Sequence, residues 1–309
     1  MKISNQISVI GKIVLSDAQR RKLIAMGATY IAESNPATRN ASEVLGRIGT
    51  SSVVLNNIST PITAEVMAAC PNLKFIQTWS TGTDNIDLIE AKKRGIKVAN
   101  VPDFSTEAVA EKTLGLMIMA ANHFHKANAH VRAGGWDYQM FRGLELRGKT
   151  LCLVGHGHIG KRVEELAHAF GMIVIVINQK NTVDELNMAL NCAQFVSLHC
   201  PLTAQTKHLI GAKQFSFMHN VILINNSRGG VVDELALLCA LNEKRVKFAT
   251  LDVFENEPPP ADHPLLHHEF VYVTPHCAWN TEESVSKLTE VAINQIDLFL
   301  KSELHDFVV

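Results

Sequence analysis

The chain has little net charge, few aromatic residues and no long hydrophobic run. Lysine and arginine number 29 against 30 aspartate and glutamate, a formal charge of −1. No basic surface for tracking phosphates is implied, which argues against nucleic acid as the main partner. No stretch approaches the ~18 consecutive apolar residues of a membrane span. The opening residues, Met1-Lys2-Ile3-Ser4-Asn5-Gln6, lead into a mixed segment without a sustained apolar core or small-residue cleavage site, so no secretory signal is read. The cysteines (Cys70, Cys152, Cys192, Cys200, Cys239, Cys277) make no CxxC pair; most sit in apolar stretches and read as buried thiols. A cytoplasmic protein is expected, with no membrane and no metal: His123 and His125 fall on different helical faces, and His267-His268-Glu269 has no ligand geometry. What is present is apolar. At 309 residues, 47 % hydrophobic and 19 % charged, the chain can fill a large core and predicts two domains of roughly 100–200 residues each.

Short apolar runs alternate with helical patterns. Val53-Val54-Leu55 and Leu73–Thr78 read as strands; Ile62–Ala69 and Asn85–Lys93 read as helices, the second ended by Gly95. From Thr106 to about Val131 one apolar periodicity predicts a long helix suited to connecting two domains. Beyond it, Thr150–Val154, Ile173–Ile177, Phe195–Leu198, Val221–Ile224, Phe248–Leu251 and Phe270–Val273 read as strands. Helices are expected at 159–170, 183–191, 233–243 and about 282–301. Ile173–Ile177 is continuously apolar, as expected where both sheet faces are covered. Thr182 with Glu185, and Asn280 with Glu283, have the spacing of capping boxes. The alternation predicts an α/β fold with parallel sheets.

Gly155-His156-Gly157-His158-Ile159-Gly160 follows an apolar strand and opens a helix, the context a dinucleotide-binding GxGxxG requires. Gly155 permits the turn, Gly157 leaves room for the pyrophosphate, and Gly160 lets helix and strand approach. The helix N-terminus offers free N–H groups to the phosphates. A ribose-binding acid is expected ~20 residues on, and Asn178 stands there instead, followed by Gln179, Lys180 and Asn181. An amide can bond a ribose hydroxyl without repelling a 2′-phosphate, so NAD and NADP both stay open.

Leu198–Thr203, Ile224–Gly230 (with Asn226 and Arg228), Leu251–Pro259 (with Asp252 and Glu257) and Thr274–Trp279 (with His276) follow in order after the glycine loop. Together these motifs resemble the D-isomer-specific 2-hydroxyacid dehydrogenases over nearly the whole chain. Pro275-His276-x-Ala278-Trp279 and Glu257–Leu266 look most like the glycerate dehydrogenase/hydroxypyruvate reductase branch. The resemblance implies two Rossmann-like domains, the cofactor domain inserted into a smaller substrate domain. The boundaries expected are 1–101 plus 282–309 for substrate, and 102–281, including the connector helix 106–131, for the dinucleotide. A homodimer is also implied.

Reducing a 2-keto acid needs a cation for its carboxylate and a proton donor for the ketone oxygen. His276 fits the donor, Glu257 would bond its other ring nitrogen and favour the protonated ring, and Arg228 offers a permanently charged fork. By resemblance, Ser80, Thr81 and Gly82 belong to the substrate loop, with the N–H groups of Thr81 and Gly82 holding the carboxylate, and Trp279 to the substrate pocket. Asp252 and Thr113 would meet the nicotinamide; Cys200 and Pro201 would line the adenosine side. Phosphoglycerate dehydrogenases of the family tend to carry Arg where this chain has Asn56-Asn57, and formate dehydrogenase-like members carry Gln where Glu257 stands. Glyoxylate and hydroxypyruvate are therefore the favoured substrates. The alternative is a dinucleotide-sensing interaction protein resembling the C-terminal-binding corepressors. One departure bears on the cofactor: only Gln179-Lys180-Asn181 separate Asn178 from Thr182, where family members usually have roughly ten or more further residues, so part of the adenine wall is expected to be reduced.

Overall fold

Parallel strands need crossover connections, and the alternation of strand and helix supplies them throughout. The computed structural model describes residues 6–32 and 40–309. The chain divides into one unit comprising Met1–Phe104 with Thr281–Val309, and a second comprising Ser105–Asn280.

In the first unit the order is β1 (Ile7–Ile10), α1 (Asp17–Ala25), β2 (Ala28–Ile31), α2 (Ala41–Ile48), β3 (Val53–Asn57), α3 (Ala64–Ala69), β4 (Phe75–Trp79), α4 (Leu88–Arg94) and β5 (Lys97–Ala99), the last helix of the chain returning to it. The sheet runs β2-β1-β3-β4-β5, all parallel. Its core is aliphatic, built from Ile10, Val44, Val54, Ile76 and Val98. Gly95 ends α4 in the left-handed conformation that a glycine adopts without steric cost.

The second unit contains α5 (Thr106–Ala121), α6 (Phe124–Arg132), β6 (Thr150–Val154), α7 (His158–Ala169), β7 (Ile173–Ile177), α8 (Val183–Cys192), β8 (Phe195–Leu198), α9 (Ala212–Ser216), β9 (Val221–Asn225), α10 (Glu234–Asn242), β10 (Val246–Leu251) and β11 (Val271–Val273); α11 (Glu282–Leu300) follows it in the chain. Its sheet runs β11-β10-β9-β8-β6-β7, again all parallel. The chain leaves β6 for β7 on one side and then crosses to β8 on the other. This reversal opens a crevice at the carboxyl ends of β6 and β8, where doubly wound sheets bind ligands.

Several expectations are corrected. The apolar periodicity of 106–131 is two helices, because the returning segment Gly143-Leu144 caps the first: the Leu144 N–H bonds the Ala121 carbonyl at 3.0 Å, and His123 turns left-handed at φ 55°. His125 then packs in tilted ring contacts against Phe248 and Tyr272, seating α6 against the sheet. The last helix runs Glu282–Leu300 as expected, but the Asn280–Glu283 capping box does not form: the Asn280 N–H bonds the Cys277 carbonyl in the preceding turn, and the cap is Thr281, whose Oγ1 takes the Ser284 N–H. The Thr182–Glu185 capping box is present. β7 is the sheet's edge, with Ile173 57 % exposed rather than covered. Cys70, Cys152 and Cys200 are buried, but Cys192 and Cys239 are exposed; all six thiols are free.

Candidate active site

The glycine loop sits in the crevice of the second sheet. The Gly155 N–H bonds the Ile177 carbonyl and the His199 N–H bonds the Val154 carbonyl, each at 2.7 Å, tying the tips of β6, β7 and β8 together. Gly155 adopts φ 99°, and a Cβ there would lie 2.5 Å from the His199-Cys200 backbone; one on Gly160 would lie 2.2 Å from the Gly155 carbonyl oxygen. Gly157 faces open space. The loop thus has the two close approaches and the one vacancy that a pyrophosphate-binding turn requires. His156 is engaged along the helix that the loop opens: its Nε2 lies 2.6 Å from Glu164 Oε2. His158 and Pro201 are exposed, Ile159 half-buried and Cys200 buried. Burial pushes the Cys200 thiol up to about 11 and the His199 imidazole down to about 4, so both are neutral around pH 7.

The second unit gathers Arg228, Glu257 and His276 at the carboxyl ends of β9, β10 and β11. Asn225 ends β9 and shapes the turn carrying Arg228: its Oδ1 accepts the Ser227 N–H at 3.1 Å and its Nδ2 donates to the Arg228 carbonyl at 3.0 Å. Gly229 lies so close to the next loop that a Cβ would stand 1.9 Å from the Phe254 carbonyl carbon. That contact brings the Arg228 turn against the loop bearing Glu257. Glu257 Oε1 accepts the Phe254 N–H at 3.1 Å, and its Oε2 lies 2.7 Å from His276 Nδ1. Burial alone would push the Glu257 carboxyl up, but the hydrogen bond and charge of His276, the Phe254 N–H and the Arg228 guanidinium together hold it below its ordinary value.

His276 occupies a left-handed backbone conformation, φ 49°. Asp252, 1 % exposed, fixes this turn. Its Oδ1 accepts from Thr274 Oγ1 at 2.5 Å and the Cys277 N–H at 2.9 Å, its Oδ2 from the Ala278 N–H at 2.8 Å, and its own carbonyl from the His276 N–H at 2.8 Å. Trp279 Nε1 donates to the His276 carbonyl at 2.9 Å. Lys112, which carries no sequence signal, braces the same turn through the Cys277 carbonyl at 2.7 Å. Asn225 did carry one, since a strand-end Asn two residues before Ser is an Asx-turn signature.

Thr113 is fully buried and accepts from Asn226 Nδ2 at 3.1 Å, while the buried Asn226 Oδ1 has no partner. An orphaned buried acceptor is costly unless something donates to it, and the nicotinamide carboxamide carries such a donor. The orphan, the glycine cradle and the vacancy at Gly157 fit a nicotinamide dinucleotide. Among the described residues no cluster of three or more His, Cys, Asp or Glu could hold a metal ion, and no helix is long and apolar enough to cross a membrane.

In the first unit, the loop after β4 turns its carbonyls inward. The Val101 N–H and Thr78 hydroxyl bond the Ser80 carbonyl, Asn100 Nδ2 the Thr81 carbonyl, and Ser80 Oγ the Gly82 carbonyl. The N–H groups of Thr81 and Gly82 take no partner among the described residues. Asn56 is buried, with its Nδ2 donating to the Thr60 carbonyl at 2.9 Å.

Residues 114–278 match the family described as D-isomer specific 2-hydroxyacid dehydrogenase, NAD binding domain. The chain is 40 % identical over 279 residues to a D-3-phosphoglycerate dehydrogenase of Methanocaldococcus jannaschii, covering 86 % of this chain but only 53 % of that longer protein. It is 33 % identical over 304 residues to a hydroxypyruvate reductase of Blautia hydrogenotrophica, covering 92 % of this chain and 93 % of the relative. Among solved structures, an acyclic imino acid reductase in complex with NADPH and D-Arg superposes with a TM-score of 0.89 at 29 % identity, over 98 % of this chain and 100 % of that one. The chain belongs to the D-isomer-specific 2-hydroxyacid dehydrogenase family.

Proposed function

We propose that the protein reduces a small 2-keto acid, hydroxypyruvate or glyoxylate, reversibly to the D-2-hydroxy acid with NADH or NADPH. The observation that carries this reading is the 2.7 Å pairing of His276 with Glu257 beside the Arg228 charge, in the unit that also holds the glycine loop. A bound nicotinamide supplies the hydride. As the ketone oxygen gains negative charge, His276 Nε2 gives it a proton, while Glu257 on Nδ1 fixes the ring's orientation. Arg228 binds the substrate carboxylate and ketone oxygen. In the first unit the unpaired N–H groups of Thr81 and Gly82, with Ser80, are assigned to the substrate carboxylate; in the second, Trp279 is assigned to substrate binding. Asn226 Oδ1 and the remaining acceptor capacity of Asp252 Oδ2 receive the carboxamide, and Thr113 orients Asn226. Gly155, His156, Gly157, His158, Ile159 and Gly160 hold the pyrophosphate; Asn178, Cys200 and Pro201 face the adenosine.

The small, singly charged substrates are supported by the buried, uncharged Asn56, which presents no cation for a substrate phosphate. The test mixes purified protein with NADH or NADPH and hydroxypyruvate, glyoxylate, pyruvate or a branched keto acid. Loss of reduced-nicotinamide absorbance with the first two is expected; none with any keto acid rejects the reading. The working form proposed is a homodimer. Trp136, Tyr138 and Met140 are 87 %, 83 % and 64 % exposed on a segment that folds back on α6 through His130 and Phe141, a concentration of apolar surface suited to a second copy. Sedimentation of the wild type and of Trp136→Glu tests this: a dimer that the substitution dissociates is expected, and a wild-type monomer contradicts it.

A further inference from the structure

We propose that this chain takes NADPH in preference to NADH, and that Asn178 and Lys180 make the distinction by meeting the 2′-phosphate. The proposal rests on the reading that the glycine loop holds a dinucleotide. Residue 178 follows Ile177, whose carbonyl is bonded by the Gly155 N–H, so it stands beside the pyrophosphate turn at the place of the adenosine ribose. A carboxylate here would accept from the ribose hydroxyls and repel a phosphate. The structure offers the reverse set of groups.

Asn178 closes a tight turn. Its Oδ1 accepts the Lys180 N–H at 2.9 Å, its N–H donates to Asn181 Oδ1 at 2.9 Å, and its carbonyl accepts the Asn181 N–H at 3.0 Å. With the amide oxygen engaged in the turn, the group left over is the Nδ2 amine, a donor. Lys180 is exposed, and its ammonium has no carboxylate partner among the described residues. No acid lies in the turn itself. The next along the chain are Asp184 and Glu185, and Glu185 Oε2 is occupied by the Thr182 N–H and hydroxyl at 2.6 and 3.0 Å. A 2′-hydroxyl finds no carboxylate acceptor in this turn, whereas a 2′-phosphate finds an amide donor and an ammonium. The turn is also short: β7 passes into α8 through Asn178–Thr182 alone and forms the sheet's edge. With so little wall for the adenine, the phosphate contacts carry a larger share of adenosine-side binding.

Charge-assisted hydrogen bonds of this kind correspond to roughly tenfold to a hundredfold in affinity. Calorimetric titration of the protein with adenosine 2′,5′-bisphosphate and with 5′-AMP, alongside fluorescence titration with NADPH and NADH, reads this directly. The bisphosphate and NADPH are expected to bind at least about tenfold tighter than their counterparts, the margin shrinking as salt rises. Asn178→Asp is expected to invert the preference and Lys180→Ala to narrow it. If both dinucleotides bind and NADH is equal or tighter, this proposal falls and the dehydrogenase reading stands. If neither binds, both fall. An NADPH margin untouched in both variants overturns the assignment to these residues.

Discussion

Replacing Asp252 with Asn should disable the site without touching the proposed proton donor. The Asp252 carboxylate is buried and takes three donors: the Thr274 hydroxyl, the Cys277 N–H and the Ala278 N–H. An asparagine keeps one oxygen and sets an amine against at least one of those donors, so at least one charge-assisted bond is lost and the rest become neutral. The loss is about 2–3 kcal/mol. Spread over a unit of this size, that lowers the melting temperature by roughly 5–10 °C. The catalytic effect should be larger than the stability effect suggests, because those bonds hold His276 at φ 49°. A displacement of the imidazole by about 1 Å costs on the order of a hundredfold in turnover. Thr274→Val, which removes only the hydroxyl donor, should cost about 1.5–3 kcal/mol and leave most of the activity, since the backbone N–H groups of Cys277 and Ala278 still bond Asp252. Steady-state keto-acid reduction and thermal melts of the two variants make the comparison. An Asp252→Asn protein with wild-type turnover and melting temperature would refute the positioning role.

Further outcomes follow from single contacts. His199, beneath the glycine loop, is held near pKa 4 against an ordinary 6.5, so the unfolded chain binds a proton that the fold does not. Stability should be complete above about pH 6.5 and fall as the pH drops toward 4, by at most roughly 3 kcal/mol; urea melts of His199→Gln across that window should show a flatter profile, and an unchanged slope would count against the assignment. Gly229→Ala forces a Cβ to 1.9 Å from the Phe254 carbonyl carbon, so the Arg228 turn and the Glu257 loop must separate and keto-acid turnover should fall at least about a hundredfold; preserved turnover would show that their close approach is dispensable. With a thiol reagent at pH 8, Cys192 and Cys239 should react rapidly, while buried Cys70, Cys152 and Cys200 react only on unfolding. Rapid labelling of Cys152, whose thiol burial pushes up to about 12, would contradict its placement.

The glycine loop was legible because each of its positions has a local steric reason, as do the parallel strands, whose apolar runs stand between turn residues. Family and fold followed from those features and from the ordered motifs. The features that escaped depend on residues distant in the chain. The break after Ala121 is made by Leu144, which lies beyond the whole of α6 in the chain, and the helix periodicity runs through it undisturbed. The last helix starts where its periodicity places it, but its cap is Thr281 and not Asn280, because the turn carrying His276 had already engaged the Asn280 N–H. Asp252 looked like a cofactor residue alone, and its grip on Cys277 and Ala278 is visible only once β10 and β11 lie side by side. Exposure of Cys192 and Cys239 follows from their places near the end of α8 and on the outer side of α10, where apolar neighbours in the sequence gave a misleading impression of burial.

The most direct test of the central claim is the turnover of His276→Gln measured together with its dinucleotide affinity. Removing the proton donor from a site whose cofactor cradle lies elsewhere in the same unit should lower turnover by about a hundredfold to ten-thousandfold and leave the dissociation constant within about twofold. Turnover close to that of the wild type would contradict the account, because the imidazole paired with Glu257 would then not be the group that protonates the substrate.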